Sequence, residues 1–575
     1  MREKRWVVSP RDAAQASKLA SSLRVSTLTA QLLINRGVCD AEQATLFLRP
    51  QLKGLIDPKM FSQMPKAVAR LEKALRDKEK IGIFGDYDVD GTTGTAILAK
   101  FFRLLGRETT YRVPHRVKDG YGLNAAVIAE FAALGITVMI TIDCGTNNNL
   151  EIELAKSMGI DTIVIDHHES PKSPSKAVAL INPKADESYP FKGICSAGIA
   201  FKLAWALSAG ISQSAKLGEA YRAFLLDALG YVALGTVADV SPLVGENRVF
   251  VTYGLDALRA CKSPGLRGLL QKAGCADKAV DAWDIGFRLA PRLNAVGRMS
   301  TAMETIELLT SEDPKRIESI LQLLESSNRA RKDVEDGIVS DARIRMKTEV
   351  DLERDRVIVL ADEKWHVGVV GIVASRIVDE HARPAFVLSV LDGVAKGSAR
   401  SVEGFALHEA IEASRDLILT GGGHAMAAGV SLKVENIPLF RERLNTFAEK
   451  ALEGKSLEPT LEIDAEVPLA GMTMAVVEEM KRLEPHGEAN PAPVLATRNV
   501  TVAGEPRLMG KKNEHMSFLV SNGDSAAIRA VGFRMGALRD RVREAKKIAI
   551  AYTPNVNEWN GYRNVELLLE DIKFE

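Results

Sequence analysis

Four short apolar runs, Ile81 to Phe84, Thr137 to Ile142, Asp161 to Ile165 and Val178 to Ile181, alternate with helix-like segments such as Thr95 to Leu105. Strands spaced by helices call for an α/β domain with a largely parallel sheet. Such sheets bind ligands beyond the carboxyl ends of their strands. Here each run is followed, in that position, by polar groups: Asp86-Tyr87-Asp88-Val89-Asp90, Asp143, Asp166-His167-His168 and Asn182.

Three aspartates within five residues repel one another when ionised, and a cation offsets that repulsion. Alone, the loop reads equally as a solvated acidic turn, and the two histidines as a satisfied core pair. The matching positions of Asp143 and Asp166-His167-His168 favour instead one crevice lined by oxygen and nitrogen ligands. That mixture suits manganese, with magnesium or zinc less distinctive. Two such ions activate a water and stabilise both the attacking and leaving oxygens of a phosphoryl displacement. Gly85, Gly91 and Gly94 do not make a dinucleotide site, because aspartates crowd the turn where a pyrophosphate needs approachable amides.

At 575 residues the chain exceeds one ordinary core. Its patterns divide it into a helical cap over 1–75, the first α/β domain over 76–265, a helical linker over 266–345, a second α/β lobe over 346–455 and a small β-barrel over 456–575. The 75 basic and 75 acidic side chains cancel, so any polyanion site is a local patch. Five cysteines without a CxxC pair argue against a disulfide framework and a zinc ribbon. With no signal-peptide run and no apolar stretch of membrane length, the expectation is a cytoplasmic protein.

Candidate substrate contacts lie further along. Arg288, Arg292 and Arg298 fall in Gly286 to Arg298, a stretch without an acidic residue, and arginine suits phosphate. Ser398, Arg400 and His424 stand beside glycines that let backbone approach a phosphate. Residues 498 to 547 hold eleven Lys or Arg against five Asp or Glu, including Lys511, Lys512, Arg529 and Arg534, with Phe518 and Phe533 offered for stacking. A basic barrel with aromatic residues suits single-stranded nucleic acid. A solvated basic face is the plainer alternative.

Gly85 to Gly91, Asp119 to Leu123, Ile142 to Gly145, Asp166 to His168 and Leu234 to Val240 occur here in one order that resembles the DHH phosphoesterase superfamily. The likeness extends to Trp365 to Gly371, Gly397 to Ser401 and Gly421 to His424, which resemble its DHH-associated domain. Leu483 to Pro491 resembles the approach to an OB domain. The resemblance implies an α/β fold with DHH and DHH-associated lobes joined by a long helix, plus an OB-like barrel. It implies two divalent ions, manganese first and magnesium second. Asp88 and Asp143 would hold one, and Asp90, Asp143, His167 and Asp239 the other, with Asp86 supporting and His168 facing the scissile phosphate. Phe84 stands where many members carry a histidine, leaving the first site either weaker or reliant on Asp86.

Within the superfamily, the resemblance implies a 5′ to 3′ exonuclease on single-stranded DNA that releases 5′ mononucleotides in recombination and repair. Arg116, Ser398 and Arg400 would grip the terminal 5′ phosphate. It further implies a monomer working with a single-strand-binding protein and a RecQ-type helicase. Two rivals are a hydrolase of short RNA or cyclic dinucleotides and a catalytically inactive single-strand DNA-binding relative.

Overall fold

The computed structural model describes residues 4–574 apart from 116–119, 121, 171–172, 213–216, 277, 300, 456, 524–525 and 560. Its first lobe is built on a five-stranded parallel sheet in the order Thr110–Arg112, Lys80–Gly85, Ile136–Ile142, Asp161–Ile165, Ala179–Ile181. The chain turns outward to the edge strand Thr110–Arg112 and then crosses back, so the winding reverses between Lys80–Gly85 and Ile136–Ile142. Ligands collect at such a switch point.

Register sharpens this arrangement. Gly85 pairs with Ile142, Ile142 with Ile165 and Ile165 with Ile181, so four strands end level. The next amides continue the ladder: Asp86 donates to the Ile142 carbonyl, Asp143 to Ile165 and Asp166 to Ile181, at 3.0, 2.9 and 3.2 Å. Their side chains therefore start from one row. The strands themselves are buried on both faces, as a near-continuous apolar run requires.

Behind the sheet, helices Val89–Leu104, Ser196–Ser212 and Glu219–Ala238 share its apolar core. Asp313 caps and Pro314 opens a single helix, Pro314–Glu349, of 36 residues, about 54 Å long at 1.5 Å per residue. It leads to a second sheet in the order Ile418–Gly423, Ala427–Lys433, Val394–Arg400, Ala385–Leu391, Ile358–Asp362, in which only the last two strands run parallel. The final domain is a barrel. Leu495–Met509 pairs with His515–Ser521 and also with Ile548–Trp559, which closes the circuit through Ile528–Gly532 and Tyr562–Phe574.

Residues 1–75 do not act as one unit. Helices Ala13–Leu23, Thr27–Asn35 and Ala41–Leu48 bury their apolar faces in the core of the barrel, and strand Arg5–Val8 pairs in parallel with Thr460–Ile463. Helix Met64–Arg76 packs on the first lobe instead. Helical periodicity reveals a buried face but not the surface that covers it. Arg248, fully buried on helix Gly245–Arg259 of the first lobe, joins these parts. Its guanidinium donates to the carbonyls of Phe47, Arg482, Leu483 and Glu484 and lies 3.9 Å from the Phe47 ring centroid.

Candidate metal centre

Asp86, Asp90 and Asp143 are buried at the sheet's carboxyl edge, with Asp88, His167, His168 and Asp239 half-buried around them. Three sets of ligand atoms converge, each within 4.8 Å: Asp86, Asp88 and Asp143; Asp90, His167 and Asp239; Asp143, His167 and His168. Asp143 belongs to two of them. His167 Nε2 lies 3.2 Å from Asp143, 3.8 Å from Asp239 and 3.9 Å from Asp90. This buried nitrogen has no hydrogen-bond partner among the described residues. A nitrogen so enclosed by three carboxylates fits a divalent cation better than any other occupant of the space.

Local structure supplies each group. Asp88 caps helix Val89–Leu104, accepting from the Gly91 amide at 3.1 Å. Gly91 has no room for a side chain, because a Cβ there would come within 2.6 Å of the Asp86 carbonyl oxygen. Asp143 adopts a left-handed backbone, φ +64°, which turns its carboxylate out of the strand direction. Asp239 ends helix Glu219–Ala238 as its C-cap. Phe84, buried against Phe131 and Ile128, offers no donor, and the buried carboxylate of Asp86 sits beside Asp88 and Asp143 in its stead.

Electrostatics follow from this crowding. Burial, then the charges of Asp88 and Asp90, push the Asp143 carboxyl well above its usual range. Burial and Asp90 push Asp239 up to about 8. Burial lowers His167, which keeps its imidazole neutral and able to ligate. His168 moves the other way: burial opposes its charge, but the hydrogen bond to Asp166 prevails and raises it.

Two residues complete the site without being ligands in the reading above. Asp166 is buried, and one of its oxygens accepts from the His168 ring at 2.7 Å and from the amides of His167 and His168. Its other oxygen accepts from the Thr146 amide at 3.0 Å. Burial would raise this carboxyl, yet these bonds bring it down to about 2. Ser196, at the start of helix Ser196–Ser212, donates its hydroxyl to Asp143 at 3.1 Å, while the amides of Ser196 and Ala197 each donate to Asp90 at 2.8 Å. A helix N-terminus thus holds one candidate ligand carboxylate and orients another. No motif in the sequence signals Ser196, which stands 53 positions from Asp143.

The expected substrate contacts separate. Ser398 and Arg400 lie together beneath Gly371, near the start of helix Val370–His381; a Cβ there would fall 3.2 Å from Ser398 Oγ and 3.5 Å from an Arg400 nitrogen. Arg298 donates to the Gly368 carbonyl at 3.0 Å, and the adjacent Gly297 abuts the Tyr87 carbonyl, so helix Ala290–Met299 bridges the acidic loop and the second lobe. Arg292 instead pairs with Glu325 at 2.5 Å, a partner 33 residues away that an acid-free stretch conceals. Arg288 pairs with Asp284 and lies over Trp283. His424 is exposed beyond strand Ile418–Gly423. Arg116 falls outside the described residues. In the barrel, Phe533 is exposed, but Phe518 points into the core and is closed to stacking.

Carboxylates and imidazoles gathered at the switch point of a parallel sheet, faced by a second α/β lobe, define a metal-dependent phosphoesterase of the DHH class. Residues 80–236 match the DHH family, N-terminal domain, residues 354–450 the DHHA1 domain, and residues 463–571 the RecJ OB domain. The single-stranded-DNA-specific exonuclease RecJ of Bacillus subtilis is 35% identical over 570 residues, 99% of this chain and 70% of that one. That of Dickeya dadantii is 34% identical, covering 95% of this chain and 96% of its own. Thermus thermophilus RecJ, solved in complex with Mn2+, superposes with a TM-score of 0.84 at 29% identity, covering 99% of this chain and 80% of that one. The chain belongs to the RecJ family of single-stranded-DNA-specific exonucleases.

Proposed function

We propose that the protein degrades single-stranded DNA from the 5′ end by metal-dependent phosphodiester hydrolysis, releasing 5′ mononucleotides. One observation carries this reading. Helix Ala290–Met299 touches the acidic loop at Tyr87 through Gly297 and the second lobe at Gly368 through Arg298, next to the Ser398 and Arg400 cradle. A chain end held by Ser398 and Arg400 leaves only a nearby phosphodiester within reach of the ligand cluster, so polarity is geometric.

Asp86, Asp88 and Asp143 would hold one divalent ion, and Asp90, His167, Asp239 and Asp143 the other. Manganese or magnesium bound there supplies Lewis acidity and water activation at neutral pH. His168, whose ring is held by Asp166 at 2.7 Å and whose pKa that bond raises, would donate to a phosphate oxygen. Ser196 and the helix behind it fix Asp143 and Asp90, so the ligands need no rearrangement. Arg116 joins the phosphate grip, and the closed barrel extends the strand's path. An enzyme restricted to unpaired strands depends on others to expose them; we therefore infer a monomeric cytoplasmic enzyme served by a single-strand-binding protein and a RecQ-type helicase.

The test incubates the protein and an Asp143→Ala variant with manganese and end-labelled single strands, duplexes and short RNA. Manganese-dependent loss of 5′ nucleotides from single strands alone is expected, faster with a 5′ phosphate than a 5′ hydroxyl. Release from the 3′ end, or preference for short RNA, overturns the reading.

A further inference from the structure

The 36-residue helix Pro314–Glu349 changes partners partway along its length. Ile317, Ile320, Leu321 and Leu324 enter the core of the first lobe, and Ile338, Val339, Ala342 and Met346 enter that of the second. One stripe at helical spacing runs through both sets. Between Leu324 and Ile338, however, its buried members are all polar: Ser327, Asn328, Arg331 and Glu335. Burying polar groups is unfavourable unless each is bonded, so these turns need a reason of their own.

The contacts supply it. Glu335 is 3% exposed, and its two carboxylate oxygens are divided between two arginines. One accepts from Arg331, a turn earlier on the same helix, at 2.6 Å; the other pairs with Arg376 of helix Val370–His381, in the second lobe, also at 2.6 Å. Arg331 also donates to Asn328 at 3.1 Å, and Arg376 pairs with Asp336 at 3.3 Å. A buried ion pair is poor evidence of stability, because desolvation offsets most of the attraction; what it can fix is geometry. Charge-assisted bonds on both oxygens of one carboxylate hold the two helices at one distance and one rotation.

That geometry has an address at each end. Arg376 follows Gly371 by five residues on one helix, and Ser398 and Arg400 of the proposed phosphate cradle lie against Gly371. In the other direction Glu325 pairs with Arg292 of helix Ala290–Met299 at 2.5 Å, and Gly297 of that helix abuts Tyr87 in the acidic loop. Cradle and metal centre are thus joined through Arg376, Glu335, the linker helix, Glu325 and Arg292, in parallel with the bond from Arg298 to Gly368. We propose that Glu335, gripped by Arg331 and Arg376, is a positioning residue that sets the span between the cradle and the metal centre to one nucleotide, and so makes the product a mononucleotide. This rests on the exonuclease reading. In each turnover water adds to phosphorus as its bond to the 3′ oxygen breaks; that oxygen leaves with a proton, and the remaining strand keeps the phosphate as a new 5′ end for the cradle. A lobe freed to shift lets the second phosphodiester reach the ligands instead, and a dinucleotide is released.

The experiment uses the full-length protein with manganese and single strands carrying a labelled 5′ phosphate, and reads the length of the first labelled product. Glu335→Gln leaves the buried Arg331 charge uncompensated and endangers folding, so the joint is opened from its exposed side. Arg376→Met, at a side chain 44% exposed, should raise the share of di- and trinucleotide first products at least about fivefold and lower kcat about 10- to 100-fold, as ångström-scale misplacement does, with Tm unchanged. Arg376→Lys, which keeps the charge, should restore most of the mononucleotide product. Asp336→Asn, which removes only the outer partner, should leave product length as in the wild type. Mononucleotides alone from Arg376→Met overturn the proposal, and a lowered Tm alongside them would assign the joint to stability. An Arg376→Lys variant with the product lengths of Arg376→Met overturns it as well. A wild type that releases no 5′ nucleotide sinks the exonuclease reading itself.

Discussion

His168 Nδ1 and Asp166 Oδ1 stand 2.7 Å apart, and the same carboxylate oxygen accepts the backbone amides of both histidines. One buried group therefore sets the ring orientation of His168, the path of the chain that presents His167, and the proton on His168. Partners of this kind typically matter 10- to 100-fold. Asp166→Asn should lower kcat on single-stranded DNA by about that factor, with manganese affinity reduced and the circular dichroism spectrum unchanged. Wild-type kinetics in this variant would remove Asp166 from the site.

Removing the metal should expose the cost of the crowded carboxylates. Asp239, pushed up to about 8, binds its proton more tightly in the fold than in the unfolded chain. Its contribution is therefore present at pH below about 4 and fades as pH rises through about 8 in the metal-free protein. A cation held by Asp239 would replace that proton. The fall in Tm on chelation should thus be larger at pH 8.5 than at pH 6, as differential scanning calorimetry can measure. An equal fall at both values would contradict this account.

Arg248 predicts a mechanical defect rather than a chemical one. Four carbonyls from two segments depend on its guanidinium. Arg248→Met strands them, at a cost of about 2–5 kcal/mol. Limited proteolysis should then cut between Leu483 and Pro491, where the wild type resists. Identical digestion patterns would show that the joint is held elsewhere.

His486 supplies a second pH dependence. Burial first, then the charges of Arg36 and Arg248, hold its imidazole down to about 4. As pH falls from about 6.5 to 4 the unfolded chain takes up a proton that the fold refuses, so stability is lost across that window, by at most about 3 kcal/mol. His486→Gln should flatten the acid limb of a plot of Tm against pH. An unaltered limb would assign acid sensitivity to other groups.

The strand ends were readable because an apolar run followed at once by Asp or His leaves little freedom about where the polar group points. Asp239 was not, since a residue that ends a helix looks alike whether it binds a metal or water; the family motif carried it. Ser196 and the two amides that grip Asp90 were invisible, because backbone donors have no sequence signature. Arg292 misled for a related reason, its carboxylate partner lying on another helix. Phe518 misled because strand alternation, not composition, decides which face of a barrel an aromatic meets.

The pairing of Arg5–Val8 with Thr460–Ile463, and of the first three helices with the barrel, has a consequence for synthesis on the ribosome. These segments have no surface to fold against until residues made more than 400 positions later emerge. At ordinary elongation rates they wait roughly 20 to 80 s, with Leu32, Leu33 and Phe47 exposed meanwhile. Over that interval the nascent chain, though its central lobes are already made, carries an uncovered apolar segment that invites chaperones.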